Sequence, residues 1–302
     1  MAPRRFAVVG SPVGHSLSPV LHRTAYAALD VTDAEYARHE VPAGALGSFL
    51  ADGPGRKLAG LSVTMPCKPE AFALAAEVDD TSRMLGISNT LLRREDGTWR
   101  AENHDVHGIV ATLRDHGAEA PRTGGVLGSG ATALSAVAAL LELGASMILL
   151  SARSAEKLVP LEELAARQGA RTRRIPWEDQ HEVLAADAVV SALAVEGARS
   201  VAARWAGRAE IPLPGVLLDV LYDPWPAPLA AVVADAGGAV ADGLEMLAHQ
   251  ADMQLRSMLG IAEAPVPLML AAARRELGHA NPEEPTVRDV GDRPRRGPCS
   301  SR

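Results

Sequence analysis

The run Gly128-Ser129-Gly130-Ala131-Thr132-Ala133 has the spacing G-x-G-x-x-A. It follows a short apolar run, GGVL, and opens a helical pattern. In that context Gly128 permits a tight turn and Gly130 lets the backbone approach a pyrophosphate at a helix N-terminus. Ala133 allows close packing of helix on strand. The competing reading is an ordinary strand-to-helix turn, where small residues also gather. The next strand ends in Ser151-Ala152-Arg153-Ser154, with Lys157 one turn on and no acid before Glu156. An NAD site usually places Asp or Glu here to bind the ribose 2′-hydroxyl. An arginine fork instead suits a 2′-phosphate. The pattern favours NADP, unless Arg153 and Lys157 only solvate a helix start.

A second group of polar residues lies in the first third of the chain. The stretch 10–19, GSPVGHSLSP, puts Ser16 and Ser18 near the start of a helix, where two hydroxyls can hold a carboxylate. Alternatively Ser18 is only an N-cap, with Pro19 at N1, and Ser16 only a turn residue. Lys68 follows the apolar strand SVTM, so it is either a surface lysine or one held in a cleft where desolvation tunes it. Asn89 and the run Asn103-His104-Asp105 put an amide or an acid at element edges, and the latter run also suits plain helix capping.

These groups need a frame, and the chain supplies alternating strands and helices. Strands are expected at 5–10, 34–41 and 57–65, with helices at 18–29, 43–52 and 69–78. A hairpin spans 87–103 around Asp96-Gly97, a pair suited to a type I′ turn. A second series follows: strands at 124–128, 146–151, 171–176, 187–193, 215–220 and 238–243, and helices at 131–144, 154–167, 227–237 and 244–259. Alternation of this kind implies an α/β fold with parallel sheets covered by helices on both faces. The segment 281–302, rich in Pro, Gly and charge, reads as a disordered tail.

Composition narrows the function. The chain has 302 residues, room for two modest domains, and is 47% hydrophobic and 22% charged, as globular chains are. Aromatics are only 3%, so the core must be Ala, Val and Leu. A net charge of −7 argues against nucleic-acid binding. No apolar run approaches a membrane span, and the N-terminal run 6–9 is short for a signal peptide. Two distant cysteines, Cys67 and Cys299, make no disulfide framework, so a cytoplasmic protein is expected. No cluster has metal-ligand spacing.

Taken together the motifs resemble the shikimate dehydrogenase family. Stretch 10–19 is similar to its G-x-P-x-x-H-S-x-S-P signature, and 62–68 (SVTMPCK) to N-V-T-x-P-x-K. Asn89-Thr90 matches an N-T pair, 103–105 resembles N-T-D, and 243–250 (GLEMLAHQ) resembles G-x-x-M-L-x-x-Q. The resemblance implies two α/β domains. One is an N-terminal substrate domain, 1–103, to which C-terminal helices at about 244–280 return. The other is a Rossmann-type NADP-binding domain, 104–243. It implies reversible reduction of 3-dehydroshikimate to shikimate with NADPH, by a monomer or homodimer. Lys68 and Asp105 would be the catalytic pair. Ser16, Ser18 and Tyr222 would hold the substrate carboxylate. Thr64, Asn89, Asp105 and Gln250 would bind ring hydroxyls. Gly128, Ser129, Gly130, Ala131, Thr132, Arg153, Ser154, Lys157, Val220 and Gly243 would hold the cofactor. The chain departs from the pattern at Ser62, His104, Arg23 and Ala152. Ser62 and His104 motivate a quinate or aminoshikimate-type substrate as the alternative, and a non-catalytic NADP- or metabolite-binding regulator on the same fold is a separate one.

Overall fold

The computed structural model describes residues 3–278; the expected tail and Cys299 lie outside the described residues. The elements follow in chain order. The first series is β1 (Arg4–Gly10), α1 (Ser18–Ala28), β2 (Ala34–Glu40), α2 (Leu46–Ala51), β3 (Gly60–Val63) and α3 (Lys68–Leu74). It continues with β4 (Glu77–Val78), α4 (Asp80–Leu85), β5 (Thr90–Arg93) and β6 (Trp99–Glu102). Helix α5 (Asp105–Asp115) leads to β7 (Thr123–Leu127), α6 (Ala131–Glu142), β8 (Met147–Ser151), α7 (Val159–Arg167) and β9 (Arg171–Arg174). Then come β10 (Ala188–Ser191), α8 (Val195–Ala206), β11 (Val216–Asp219), α9 (Pro228–Asp235) and β12 (Val240–Asp242). Two helices close the chain, α10 (Gly243–Leu259) and α11 (Val266–Glu276).

Two six-stranded sheets result. The first has the order β2-β1-β3-β5-β6-β4 and the second β12-β11-β10-β7-β8-β9. The second is parallel throughout. Its strand order turns back at β7, and in such sheets ligands bind at the carboxyl end of the strand where this happens. The first sheet is mixed, because the hairpin sets β5 antiparallel to both β3 and β6.

Some local expectations are corrected. The stretch 69–78 is helical only to Leu74, and Glu77–Val78 pairs with β6 as a short strand. The strand expected over 57–65 is confined to Gly60–Val63. The hairpin turn is not type I′, which needs positive φ at both central residues; only Gly97 has it, at 83°. The loop is instead a turn closed by Gly97 N–H to Arg94 O, with the Asp96 carboxylate accepting from Thr98 N–H. Ser18 is not an N-cap: α1 begins at Ser18 itself, and the Ser16 hydroxyl accepts from the Ser18 N–H at 3.3 Å.

The cores have the aliphatic and alanine character that the composition requires. Ala133, Ala136 and Ala139 let α6 lie close on its sheet, and α5 joins the same core through Ile109 and Leu113. Helices α10 and α11 return to the first sheet and pack on α1 through Leu21, Leu255 and Met269. Asp242 caps α10 by accepting from Glu245 N–H, and Gly260 ends it in the left-handed region.

One buried imidazole makes this core sensitive to acid. His22 stacks on Tyr36 with centroids 4.0 Å apart and meets Tyr26 edge-on. Burial, only partly offset by the neighbouring Gln254 amide, pulls its pKa from 6.5 to about 3. Between those values the unfolded chain binds a proton that the folded chain refuses, so stability falls as pH falls through that range. His22→Phe, which keeps the stack, is expected to flatten the loss of Tm between pH 7 and pH 4. An unchanged slope in thermal melts would refute this.

Candidate active site

The carboxyl ends of both sheets face one cleft. On the first sheet, β1 ends at Gly10 and leads to Ser16 and Ser18, while β3 ends at Val63 and leads to Thr64 and Lys68. Gly10 is required there, because a Cβ at this position would collide with Thr64 and with the carbonyl of Met65. From the second sheet come Thr132 on α6 and Val220 and Tyr222 after β11. Helix α10 adds Gly243 and Gln250.

These residues line a cavity of about 270 Å³, together with Asn89, Asp105, Ser62, Met246, Leu247 and Gln254. Lys68 Nζ lies 2.5 Å from Asp105 Oδ2, and the two side chains are only 10% and 3% exposed. The Asn89 amide donates to Asp105 Oδ1 at 2.9 Å and to Gln250 Oε1 at 3.0 Å. The Asn103 amide oxygen accepts from Asp105 N–H at 3.0 Å, which helps to aim Asp105. The N-cap of α5 is His104, with no side-chain cap bond, so Asn103 is not the cap of that helix. Ser16 and Ser18 share a 3.2 Å hydroxyl bond at the cavity wall. Tyr222 has a raised pKa, chiefly from burial and then from Asp223, so its hydroxyl stays a donor.

Chemically this is a polar pocket with one ammonium in contact with one carboxylate, flanked by hydroxyl and amide donors. Such a pocket can hold a small hydroxylated acid and pass a proton to or from an oxygen placed at Lys68.

A second groove opens on the other side of the glycine loop. It is lined by Gly128, Ser129, Arg153, Ser154, Lys157 and Trp177. Gly128 has φ of 117°, and a Cβ there would meet the Ala192 carbonyl at 2.8 Å, so the turn demands glycine. A Cβ at Gly130 would meet open space, so the backbone is accessible there. Arg153 and Lys157 have no salt-bridge partner among the described residues. Of the expected cofactor residues, Thr132, Val220 and Gly243 line the first cavity instead, while Gly130 and Ala131 line neither. Gly130 precedes α6, and Ala131 is its first residue.

Departures from the motifs also find places. His104 points neither into the cavity nor to solvent: its ring lies 3.0 Å from Glu102 Oε2 and is buried. Burial alone would raise Glu102, but His104 and the Ser257 hydroxyl hold it below its usual range. Arg23 donates to the Tyr36 carbonyl. Ala152 sits in the second groove beside Arg153. Cys67 is buried, its thiol pushed up to about 11 by burial and by Glu70, and it donates to Val41 O. Among the described residues no group of His, Cys, Asp or Glu is placed to hold a metal ion, and no helix is long and apolar enough to cross a membrane.

Sequence reading missed Gln254 and Asp219. Gln254 lies one helical turn beyond Gln250 on the same face of α10, which is a usable signal. Asp219 ends β11 with no exposure at all. Its Oδ1 accepts from Leu221 N–H at 3.2 Å, which shapes the turn carrying Val220 and Tyr222; Oδ2 has no partner among the described residues. Burial, countered by the Leu221 N–H and by Ser191, pushes its pKa to about 7.

Residues 8–91 match the model of the shikimate dehydrogenase substrate binding domain. A shikimate dehydrogenase (NADP(+)) of Methylobacterium radiotolerans is 34% identical over 258 residues, covering 82% of this chain and 88% of that protein. The crystal structure of Mycobacterium tuberculosis shikimate dehydrogenase superposes with a TM-score of 0.79 at 40% identity, over 90% of this chain and 100% of that one. The Thermus thermophilus enzyme, solved in complex with NADP(H) and shikimate, superposes with a TM-score of 0.75 at 28% identity, over 90% and 99%.

Proposed function

This chain belongs to the shikimate dehydrogenase family, and on that premise we propose that it reduces 3-dehydroshikimate to shikimate, reversibly, with NADPH. The observation that carries the reading is one cavity lined at once by Ser16, Ser18, Tyr222 and the Lys68–Asp105 pair. Residues 1–103 with α10 and α11 form the substrate domain in this reading, and 104–243 the nucleotide domain.

In the cavity the serine hydroxyls, with Tyr222, hold the substrate carboxylate. Thr64, Asn89 and Gln250 take the ring hydroxyls. NADPH, when bound, supplies the hydride. Lys68 sits against the oxygen of the reacting carbon and gives it a proton as negative charge develops there. Asp105 aims Lys68 and receives the Asn89 amide, which keeps the carboxylate an acceptor on both oxygens. In the reverse direction Lys68 takes that proton back.

The second groove fits the cofactor. Gly130 offers accessible backbone just before α6, and Arg153 and Lys157 line the groove with no salt-bridge partner among the described residues. They would hold the 2′-phosphate, with Ser154 beside them. Arg153→Ala is expected to raise KM for NADPH about 10- to 100-fold, the worth of a charged hydrogen bond of roughly 1.5–3 kcal/mol. KM for NADH should change less than threefold. Equal losses for both nucleotides would remove Arg153 from this role.

The decisive experiment is absorbance of the reduced nucleotide with purified protein, comparing shikimate with quinate and NADP with NAD. NADP-dependent turnover of shikimate establishes the reading. Quinate turnover alone moves the substrate to the quinate class. Nucleotide binding with no turnover of either acid returns the chain to a regulatory role.

A further inference from the structure

Along one wall of the cavity a run of buried polar groups reaches from β2 to the Lys68–Asp105 pair. Tyr36 Oη lies 2.6 Å from Ser62 Oγ, and Ser62 Oγ lies 2.7 Å from Gln254 Oε1. Gln254 Nε2 lies 3.2 Å from the Asn89 carbonyl and 3.0 Å from Thr90 Oγ1. Thr90 Oγ1 lies 2.9 Å from Asn89 Oδ1, and the Asn89 amide reaches Asp105. Ser62, Asn89, Thr90 and Gln254 are all at most 4% exposed.

The direction of every bond follows from two groups that have no choice. The Asn89 carbonyl can only accept, so the Gln254 nitrogen must face it and the Gln254 oxygen must face Ser62. Ser62 then donates to Gln254 and accepts from Tyr36. On the other side Thr90 accepts from Gln254, so its own proton goes to Asn89 Oδ1. The His104 N–H, which can only donate, bonds the same oxygen at 3.0 Å. Both donors saturate Asn89 Oδ1 and turn its amide nitrogen to Asp105.

We propose that Gln254 is a positioning residue for the Lys68–Asp105 pair, fixing the main chain of Asn89 directly and its side chain through Thr90. The proposal rests on the dehydrogenase reading above. It also gives the Ser62 departure a physical sense: a serine there is short enough to leave room for the Gln254 amide arriving from α10. Gln254 needs no contact with the reacting atoms to act. It sets which way the Asn89 amide points, and so whether Asp105 meets a donor or a second acceptor.

The test uses Gln254→Glu and Gln254→Leu, with kcat for shikimate oxidation taken relative to wild type at each pH between 5.5 and 9. A protonated Glu at 254 keeps a donor for the Asn89 carbonyl; an ionised one does not. A carboxyl buried among acceptors has its pKa raised. The Gln254→Glu ratio is therefore expected within about threefold of wild type at low pH, falling tenfold or more as pH rises. The charged or titratable groups nearest this path are Tyr36 and His22 on one side and the Lys68–Asp105 and Glu102–His104 pairs on the other. His22, whose pKa the Gln254 amide partly sets, changes with the substitution, so wild type and variant are compared in a His22→Phe background; the others are present in both and cancel in the ratio. Gln254→Leu should be reduced about tenfold at every pH, with Tyr36→Phe, which trims only the far end, lowering kcat less. A Gln254→Glu profile parallel to wild type, or a Gln254→Leu within twofold of it, overturns the proposal. If wild type turns over no shikimate, the dehydrogenase reading fails separately. The positioning role is then read from exchange of the Asn89 side-chain amide protons: faster in Gln254→Leu supports it, unchanged refutes it.

Discussion

Replacing Lys68 by methionine is expected to lower kcat for shikimate oxidation by about 10²- to 10⁴-fold, the usual range for a lost acid–base group, while the dissociation constant for NADP stays within about threefold. Lys68 is the first residue of α3, and its ammonium is spent on Asp105 inside the cavity, away from the second groove. Methionine keeps the stem's volume, so the loss is one of charge and proton rather than packing. Stability should also fall, by about 3–5 kcal/mol, because Asp105 is left buried without its cation. The Asn89 amide remains as its one donor side chain. Adding Asp105→Asn removes the uncompensated carboxylate and should recover most of that stability with no activity. Nucleotide fluorescence titration, steady-state kinetics and urea unfolding separate the three quantities. A loss in kcat of less than tenfold would take Lys68 out of the chemical step. So would a loss shared equally with NADP affinity.

Asp219→Asn is expected to stabilise the protein in a pH-dependent way. The carboxyl titrates at about 7 in the folded chain against 3.8 for an ordinary one. As pH rises past 3.8 the unfolded chain gives up its proton first, so the contribution of Asp219 to stability is present below that value and is lost progressively up to about pH 7. The loss is on the order of 4 kcal/mol. Asparagine cannot ionise. It keeps an oxygen for Leu221 N–H and turns an amide toward the position where Oδ2 lacks a partner, with Ser191 opposite on β10. The gain over wild type in urea unfolding should be small at pH 4 and several kcal/mol at pH 8. An equal gain at both would mean that ionisation of Asp219 is not its source.

The parts of the site that were legible in the sequence are those where the backbone itself is constrained. Gly128 must take a positive φ against Ala192, and a loop with that need advertises it. Helix α10 was legible over 244–259 as a long run, and it is found at Gly243–Leu259. What escaped depends on partners distant in the chain. Gln254 bonds Ser62 across 192 positions, and no local pattern carries that pairing. Strand β4 has two residues, too few for any period to show, and α4 has six. His104 illustrates the same limit: its place in the sequence points to the cavity, and its partner Glu102 turns it away.

The chain leaves the first sheet along α5 and comes back along α10, and these two helices touch backbone to backbone. A Cβ at Gly108 would lie 2.6 Å from the Met246 carbonyl. Beyond that crossing His116, just past the end of α5, meets Glu245 at 2.6 Å, and Arg274 ties Glu245 to α11. Everything between His116 and Asp242 is thus a single excursion whose exit and entry lie side by side. A unit joined this way can be exchanged for another α/β cassette without rethreading either sheet, because only two adjacent splice points have to match. The Lys68–Asp105 pair lies on the host side of those splice points, so under the proposed function a graft that alters nucleotide preference need not disturb proton transfer.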